Sequence, residues 1–382
     1  TKMIAKQYQK FLQNELRHTT YLFLTLVVVS LQLIKQVKLE LLAEALPLPI
    51  LFESRRKKLR RFLRLEQLSI ENIWFPCVTS LLESMFNPQD RIYVALDRTS
   101  WGMINILMVS VIYNHRAWPI YWKFLDKKGS SNLDEQKAVL GKSFEVLSEY
   151  LVVVLGDREF CSPKLGMWLG KEGAYFCLRQ KCDTKIKQDK EIYQELRDLG
   201  LAPGMSLFLN DQEVTKQTGF GRFNIACKWK RTYRGFKTKE PWYILTNLDD
   251  IETAILSYQK RFGIEEMFRD FKAGGYNLEG SNLSSEQLSK LMIVVAIAYT
   301  SALLKGQQIK EMGIQKYIAR PETKSTGQRR HSAFYVGQHL HHWLRLEQLC
   351  QEILDKLLQI NRRWLNSYKK GRRAIDLALS TF

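Results

Sequence analysis

Apolar positions in residues 1–88 recur at the spacing of α-helices, and this pattern predicts a helical N-terminal region. The longest apolar run, from Tyr21 to Ile34, covers about 14 residues and is interrupted by polar ones. A bilayer span needs roughly 20 residues, and the run lacks the small-residue cleavage site of a signal peptide. We therefore expect a buried core helix and no membrane contact.

The pattern changes to that of β-strands at about residue 89. One apolar run ends in Asp97, and a second run, further along the chain, ends in Asp157. Between them, residues 104–122 are rich in β-branched and aromatic side chains and predict a hairpin that turns near residues 114–116. Two buried strands that each end in a carboxylate are therefore expected.

Helical patterns follow the hairpin and the second apolar run, at residues 133–150 and 163–170. Three antiparallel strands followed by helix, strand and helix are typical of an α/β fold with a mixed sheet of the ribonuclease-H-like kind. Residues 89–173 are thus predicted to form the first part of such a core.

Three further regions complete the predicted organisation. Residues 174–249 alternate short β segments with Gly, Asn and Lys turns, which predicts a β-rich insertion that splits the core. Residues 250–310 return to a helical pattern and predict the second part of the core. Residues 311–382 predict a basic helical C-terminal region.

The charge balance favours a polyanionic partner. The chain has 58 Lys and Arg against 39 Asp and Glu, a net charge of +19 and a pI near 9.6. Residues 1–88 hold 13 basic and 7 acidic residues, and residues 305–382 hold 15 and 6. Nucleic acid is the first candidate partner, although ribosome binding or a membrane surface gives similar totals. Six scattered cysteines without a CxxC pair indicate a reduced cytoplasmic protein and argue against zinc.

The most basic short segment covers residues 54–64, where seven of eleven residues are cationic. Its apolar residues fall on one side of the predicted helix. The segment is interpreted either as a solvated basic face or as a helix laid against DNA phosphates, and the net charge favours the second alternative. The candidate DNA-binding residues are Arg55, Arg56, Lys57, Lys58, Arg60 and Arg61.

The segment from Ser257 to Lys272 carries the most specific pattern. As one helix, it would place Tyr258, Arg261, Glu265 and Lys272 on a single face, at intervals of three, four and seven residues. A carboxylate flanked by a phenol and two cations suits an acid held beside a phosphate backbone. The cations would bind the phosphates and the acid would hold a metal ion.

Asp97, Asp157 and Glu265 together form the candidate metal-binding set. Strand ends and a nearby helix can converge, and three carboxylates suit two Mg²⁺ or Mn²⁺ ions about 3.5–4 Å apart in phosphodiester chemistry. Each aspartate alone would more simply be a turn or helix cap. The three carboxylates and the flanking cations together favour the metal site.

The chain resembles the DDE transposases of the insertion sequence 4 family. Their signature is Tyr, two residues, Arg, three residues, Glu, six residues, Lys, and Tyr258, Arg261, Glu265 and Lys272 match every interval. The sequences around Asp97 and Asp157 and the 127–132 loop also resemble the family. The resemblance covers about residues 50–305 and implies a DNA transposase with a metal-dependent endonuclease and strand-transfer activity.

The resemblance also implies particular roles. Asp97, Asp157 and Glu265 would be catalytic metal ligands, and Tyr258, Arg261 and Lys272 would contact phosphates near the transposon end. Trp242 would stack on a flipped base in a hairpin intermediate, with a core position as the open alternative. Arg158 would be a phosphate contact or form a surface salt bridge. The expected partners are double-stranded DNA, at terminal repeats and target, and a second protomer in a synaptic homodimer.

Two other classes of function remain open at this stage. A catalytically silent relative would bind DNA through its basic ends alone, and a ribonuclease-H-like nuclease would cut without joining. Glu159 and Glu266, each beside a proposed ligand, are expected to point elsewhere. The His339–His342 tract is interpreted as polar helix surface.

Overall fold

The computed structural model describes residues 4–189, 192–215, 221–233, 235–321, 330–360, 363 and 365–380. The chain divides into two compact units. Met85–Arg269 forms one, here called the α/β unit. Thr1–Ser84 together with Asp270–Phe382 forms the other, here called the helical unit.

The helices of the described residues are α1 (Lys6–Glu15), α2 (His18–Ile34), α3 (Leu39–Ala45), α4 (Phe52–Phe62), α5 (Phe75–Met85), α6 (Leu133–Leu147), α7 (Pro163–Lys171), α8 (Ile251–Lys260), α9 (Phe262–Phe271), α10 (Ser285–Glu311), α11 (Gln315–Ile318), α12 (Ala333–Leu349), α13 (Gln351–Ile360) and α14 (Leu365–Ser380). The strands are β1 (Arg91–Trp101), β2 (Ile104–Tyr113), β3 (Arg116–Phe124), β4 (Leu151–Gly156), β5 (Tyr175–Arg179), β6 (Lys185–Asp189), β7 (Ile192–Glu195), β8 (Ser206–Glu213), β9 (Arg222–Lys228), β10 (Thr232–Tyr233), β11 (Phe236–Lys237) and β12 (Trp242–Thr246).

A mixed eight-stranded sheet is the core of the α/β unit, with strand order β3-β2-β1-β4-β5-β12-β9-β8. β1, β2 and β3 are antiparallel neighbours, whereas β4 lies parallel to β1 and β5 lies parallel to β4. The predicted hairpin is confirmed. Asn114 and His115 both have left-handed φ angles, 46° and 65°, as a two-residue turn between twisted strands requires. The predicted fold class, an α/β ribonuclease-H-like core with a mixed sheet, is confirmed.

The β-rich segment after β5 contributes to the same sheet. β12, β9 and β8 continue it beyond β5 in antiparallel order, and two small hairpins, β6-β7 and β10-β11, lie outside it. The alternating pattern of residues 174–249 predicts strands but does not say which strands pair. The extension buries all five residues of β12.

The helical unit is built around α10, most of which is buried. Tyr8 of α1 donates a hydrogen bond to Thr300 at 2.9 Å, and Gln32 of α2 donates one to the Ala298 carbonyl at 3.1 Å. Within the described residues, α10 is long and apolar enough to cross a membrane, and α2 with α3 passes the same test as a pair bent by 104°. However, 83% of the apolar window of α10 is buried inside the protein.

Helices α10 and α12 approach each other at two glycines, Gly306 and Gly337. A Cβ atom at Gly306 would lie 2.6 Å from the carbonyl carbon of Ala333 and 2.7 Å from the amide nitrogen of Gly337. Real Cβ atoms do not come that close to backbone atoms. The crossing therefore depends on the missing side chains at these two positions.

One histidine of the 339–342 tract departs from the sequence interpretation. His341 is only 3% exposed, so the tract is not uniformly polar surface. Burial, with smaller contributions from Lys305 and His342, lowers the pKa of His341 to about 3. The tract was misinterpreted because adjacent helix residues point in different directions, and α12 is covered on the side that carries His341.

The burial of His341 predicts a pH dependence of stability. Between pH 6.5 and the folded-state pKa of about 3, the unfolded chain binds one more proton at this position than the folded chain. Folding should therefore lose about 1.4 kcal/mol per pH unit as the pH falls through this window. We expect urea unfolding, followed by helical circular dichroism, to show a shallower acid loss for His341→Gln than for the wild type. The exposed histidine variant His18→Gln is the matched control and should follow the wild-type curve.

Candidate active site

Asp97 and Asp157 are placed side by side by the parallel pairing of β1 and β4. The last paired residues are Leu96 and Gly156, and each aspartate comes directly after one of them. Because paired parallel strands lie about 4.8 Å apart, the two carboxylates begin at neighbouring points of the sheet. Gly156 leaves no room for a side chain, since a Cβ there would lie 2.9 Å from both Leu178 and Phe160 side-chain atoms.

The Ser257–Lys272 segment is not the single helix that its pattern predicts. α8 ends at Lys260 and α9 begins at Phe262, so Arg261 lies at a break between them. Asp250 begins α8 by accepting a hydrogen bond from the Thr253 amide at 2.7 Å. The break contains neither proline nor glycine. Gly263 follows two residues after Arg261, and a Cβ atom at Gly263 would lie 3.2 Å from the Arg116 backbone.

The Arg261 side chain joins two of the three candidate ligands. Its Nη1 donates to Asp97 Oδ2 at 3.0 Å, and its Nη2 pairs with Glu265. The guanidinium is only 14% exposed. Although burial alone would lower it, the pKa of Arg261 is raised by Tyr258, Asp97 and Glu265. Arg261 is therefore a fixed positive charge between Asp97 and Glu265.

Asp97 is the most perturbed carboxylate of the site. Its pKa is raised to about 7, mainly by burial and further by Asp157 and Glu265, while Arg261 acts in the opposite direction. The main-chain amide of Arg98 donates to Asp97 Oδ1 at 2.8 Å. Asp157 and Glu265 therefore lie close enough to Asp97 to repel its carboxylate, and the three predicted residues lie in the same unit.

The donor set fits a divalent metal ion in chemical type. Three carboxylates are the hard oxygen ligands that Mg²⁺ and Mn²⁺ prefer. The pKa of Asp97 is raised mainly by burial and further by Asp157 and Glu265, whose repulsion a cation relieves. In the described residues, no three acidic, histidine or cysteine side chains are arranged around a common metal position. Arg261 supplies the positive charge between Asp97 and Glu265 in this arrangement.

Trp242 and Tyr258 pack together in the core of the α/β unit. Their rings meet edge to face with centroids 5.2 Å apart, and Tyr233 contacts Trp242 at 4.9 Å. Lys230 lies 5.0 Å from the centre of the Trp242 ring. Trp242 is 8% exposed, as the core alternative expects. Its stacking on a flipped base stays a prediction.

Arg158 forms an ion pair with Glu240, and Glu240 also pairs with Arg179 at 3.0 Å. Arg158 is 42% exposed, so its contact is the surface salt bridge named as one alternative. Arg179 also hydrogen-bonds the Tyr258 hydroxyl, and burial lowers the pKa of Arg179. A chain of contacts thus runs from Arg158 to Tyr258.

Sequence reasoning missed the role of Arg98, which directly follows Asp97, and of Glu159, which lies two residues after Asp157. Arg98 Nε donates to both carboxylate oxygens of Glu159, at 3.0 and 2.9 Å. Glu159 also accepts two hydrogen bonds from Ser131, in the loop that resembles the family. Asp97 lies inside β1, which continues to Trp101, so the expectation that this strand ends in a carboxylate is wrong, whereas β4 does end directly before Asp157. The available signal was an arginine and a glutamate within two residues of the aspartates.

Lys272 and the basic segment belong to the helical unit. The Lys272 ammonium pairs with Glu279 at 3.1 Å. In α4, Leu59 and Phe62 are buried, which confirms the predicted apolar side of the basic helix. Arg55 donates to the Leu46 carbonyl at 3.1 Å and Arg56 pairs with Glu53, whereas the remaining candidate cations are exposed: Lys57, Lys58, Arg60 and Arg61.

The α/β unit has a mixed sheet of the ribonuclease-H-like kind and contains Asp97, Asp157 and Glu265. Residues 127–301 match the family model described as transposase DDE domain. The match covers 175 of the 382 residues and supports a DDE transposase enzyme.

Among solved structures, the chain is similar to piggyBac transposase, determined by cryo-EM as a synaptic complex with hairpin DNA. The sequences are 13% identical, the TM-score is 0.46, and the match covers 98% of this chain and 82% of the other. The comparison with curated proteins gave no match.

Proposed function

We propose that the chain is a DNA transposase of the insertion sequence 4 family that cleaves at the ends of its element and joins them to target DNA. The supporting observation is the pairing of Leu96 with Gly156, which brings Asp97 and Asp157 together near Glu265. The Tyr258-to-Lys272 intervals carry the more specific family assignment.

Asp97, Asp157 and Glu265 would hold two Mg²⁺ or Mn²⁺ ions. Such ions, when bound, activate an attacking oxygen and stabilise the leaving oxygen of a phosphodiester. The protein contributes the buried carboxylate of Asp97 beside the half-buried Asp157 and the exposed Glu265, and the repulsion that Asp97 experiences from them favours a cation. The alignment of the DNA backbone depends on the neighbouring cations and the phenol of Tyr258.

Arg261 can serve the carboxylates and the DNA together. Asp97 and Glu265 each take one N–H of its guanidinium, which carries five. The remaining donors are available for a scissile-strand phosphate, with Tyr258 and Lys272 as further contacts. In a hairpin-forming reaction, Trp242 would receive the flipped base after Lys230 and Tyr233 moved from its ring.

The basic regions would supply further contacts to the DNA. We assign end binding to residues 1–88, with the exposed cations of α4 against phosphates, and further DNA binding and dimer contacts to residues 311–382. The core would comprise residues 89–173 and 250–310, with the β-rich insertion at 174–249. We expect a synaptic homodimer on the DNA, because the two ends must be processed together. The proposed location is the bacterial cytoplasm.

Glu265→Gln tests the metal-site hypothesis. We expect the variant to bind a labelled duplex carrying the element's end as the wild type does. Its cleavage rate with Mg²⁺ should fall by about 10²–10³-fold, because the substitution removes one anionic ligand while keeping the side-chain shape. Single-turnover cleavage and joining at saturating protein would measure the loss.

Glu266→Gln is the matched control, since Glu266 is the next residue and pairs with Arg116 at 3.0 Å. It should retain cleavage. A wild type that binds the end but never cuts, even with Mn²⁺, would identify a DNA-binding relative instead. Cutting without joining would identify a nuclease.

A further inference from the structure

We propose that Glu159 is a positioning residue, and that its ion pair with Arg98 is a clamp that sets the separation of Asp97 and Asp157. The clamp consists of Arg98, which directly follows Asp97, and Glu159, which lies two residues after Asp157. It adds a fourth carboxylate to the site, with a role different from that of the three candidate ligands.

The main chain of each clamp residue fixes one aspartate. The Arg98 amide donates to Asp97 Oδ1 at 2.8 Å. The Glu159 amide donates to Asp157 Oδ1 at 2.9 Å, in the short 3-10 turn that Asp157 caps. The orientation of each carboxylate therefore depends on where the following backbone amide lies.

The side chains of the same two residues join these amides across the sheet edge. Arg98 Nε contacts both oxygens of Glu159, and the pair is 20% and 14% exposed. A charge-assisted contact shielded to this degree holds its geometry better than an exposed surface pair. Because one ion pair connects the two amide donors, it also limits how far the two aspartates can separate.

The clamp is anchored from a third direction by the 127–131 loop. Ser131 donates to Glu159 Oε1 through its amide and its hydroxyl, both at 2.9 Å. Arg98 Nη1 donates to Asn105 at 3.1 Å, and Asn105 donates to the loop carbonyls of Lys127 and Gly129. Both members of the clamp are thus tied to one loop.

A turn explains why Glu159 reaches this position. In a strand, a residue two places after Asp157 would continue along the sheet. The 3-10 turn of residues 158–160 instead directs the Glu159 carboxylate back towards β1 and Arg98. Supporting groups of this kind typically change metal affinity or activity by about 10–100-fold when they are removed.

Glu159→Gln tests the clamp, because it keeps the side-chain size but loses the charge and one acceptor oxygen. Glu135→Gln is the matched control: Glu135 pairs with Lys127 at 2.8 Å and bonds the Asn132 amide, so it holds the same loop without touching either aspartate. Hydrogen exchange would be followed by mass spectrometry in peptides covering Asp97–Arg98 and residues 127–131. Mn²⁺ affinity would be measured by electron paramagnetic resonance, with Asp97→Asn defining the site-specific signal.

The clamp predicts faster exchange at Asp97–Arg98 and about 10–100-fold weaker Mn²⁺ binding in Glu159→Gln, with both unchanged in Glu135→Gln. Exchange that changes only in the 127–131 loop, or Mn²⁺ affinity within about twofold of the wild type, would overturn it. If Glu159→Gln does not fold, Arg98→Lys, which keeps the charge but loses the two-oxygen contact, replaces it.

The clamp rests on the proposed function only for its link to metal binding and cleavage. A wild type without any Asp97-dependent Mn²⁺ signal would overturn the proposed metal site, while the exchange at Asp97–Arg98 still decides whether Glu159 positions the aspartate. The two failures are therefore distinguishable in one set of samples.

Discussion

Arg261→Met is expected to lower the free energy of unfolding by about 3–5 kcal/mol, because it leaves the buried Asp97 carboxylate without its cation. The guanidinium is 14% exposed and contacts both Asp97 and Glu265. Methionine matches much of the side-chain volume but supplies no charge or donor. The pKa of Asp97, already raised by burial and by its acidic neighbours, should rise further. Urea unfolding at pH 7.5 would measure the loss.

The double variant Arg261→Met with Asp97→Asn separates charge from packing. Removing the buried anion together with its partner should recover a large part of the stability, as a double-mutant cycle would show. Arg269→Met is the control, because Arg269 pairs with Glu266 but is 63% exposed, and its loss should stay within about 1 kcal/mol. An equal cost for Arg261→Met and Arg269→Met would contradict a buried role for Arg261.

Gly306→Ala is expected to destabilise the protein by about 3 kcal/mol or more, because its methyl group would meet the Ala333 carbonyl of the facing helix. The obstacle is backbone, so no side-chain rotation relieves it, and α10 and α12 must move apart. Gly337→Ala should act similarly, since its Cβ would lie 2.7 Å from the Ala302 carbonyl carbon. Thermal unfolding monitored by circular dichroism would report both losses.

Gly371→Ala is the matched control for the helix crossing. Gly371 is also a helical glycine, in α14, but a Cβ there meets nothing within 4 Å. Alanine should therefore stabilise α14 by up to about 1 kcal/mol through its higher helix propensity. Destabilisation of similar size at Gly306 and Gly371 would contradict the close approach of α10 and α12.

The carboxylate set was predictable because its signals are local. Asp97 and Asp157 each end an apolar run in the sequence. Tyr258, Arg261 and Glu265 are spaced as in a helix, although α8 ends and α9 begins on either side of Arg261. Arg261 still contacts Tyr258, with its guanidinium 6.0 Å from the ring centre, and pairs with Glu265. Arg261 therefore links Tyr258 and Glu265 without a continuous helix, whereas Lys272, the fourth residue of the predicted face, pairs with Glu279.

The missing part of the prediction concerns contacts between residues distant in sequence. Arg98 and Glu159 are 61 positions apart, and their pairing depends on the strand register and on a turn that the pattern does not indicate. The burial of His341 likewise depends on which side of α12 is covered. The alternating segments after β5 predict strands, but their pairing into the main sheet is a long-range property.

The register of β1 and β4 has a consequence for how the lengths of related sequences can vary. One residue added inside β4 before Gly156 would turn Asp157 to the opposite face of the sheet, away from Asp97. Added residues in the connections, such as the one between α7 and β5, leave this pairing in place. We therefore expect natural length differences to accumulate in connections and to be absent from the six paired positions of these two strands.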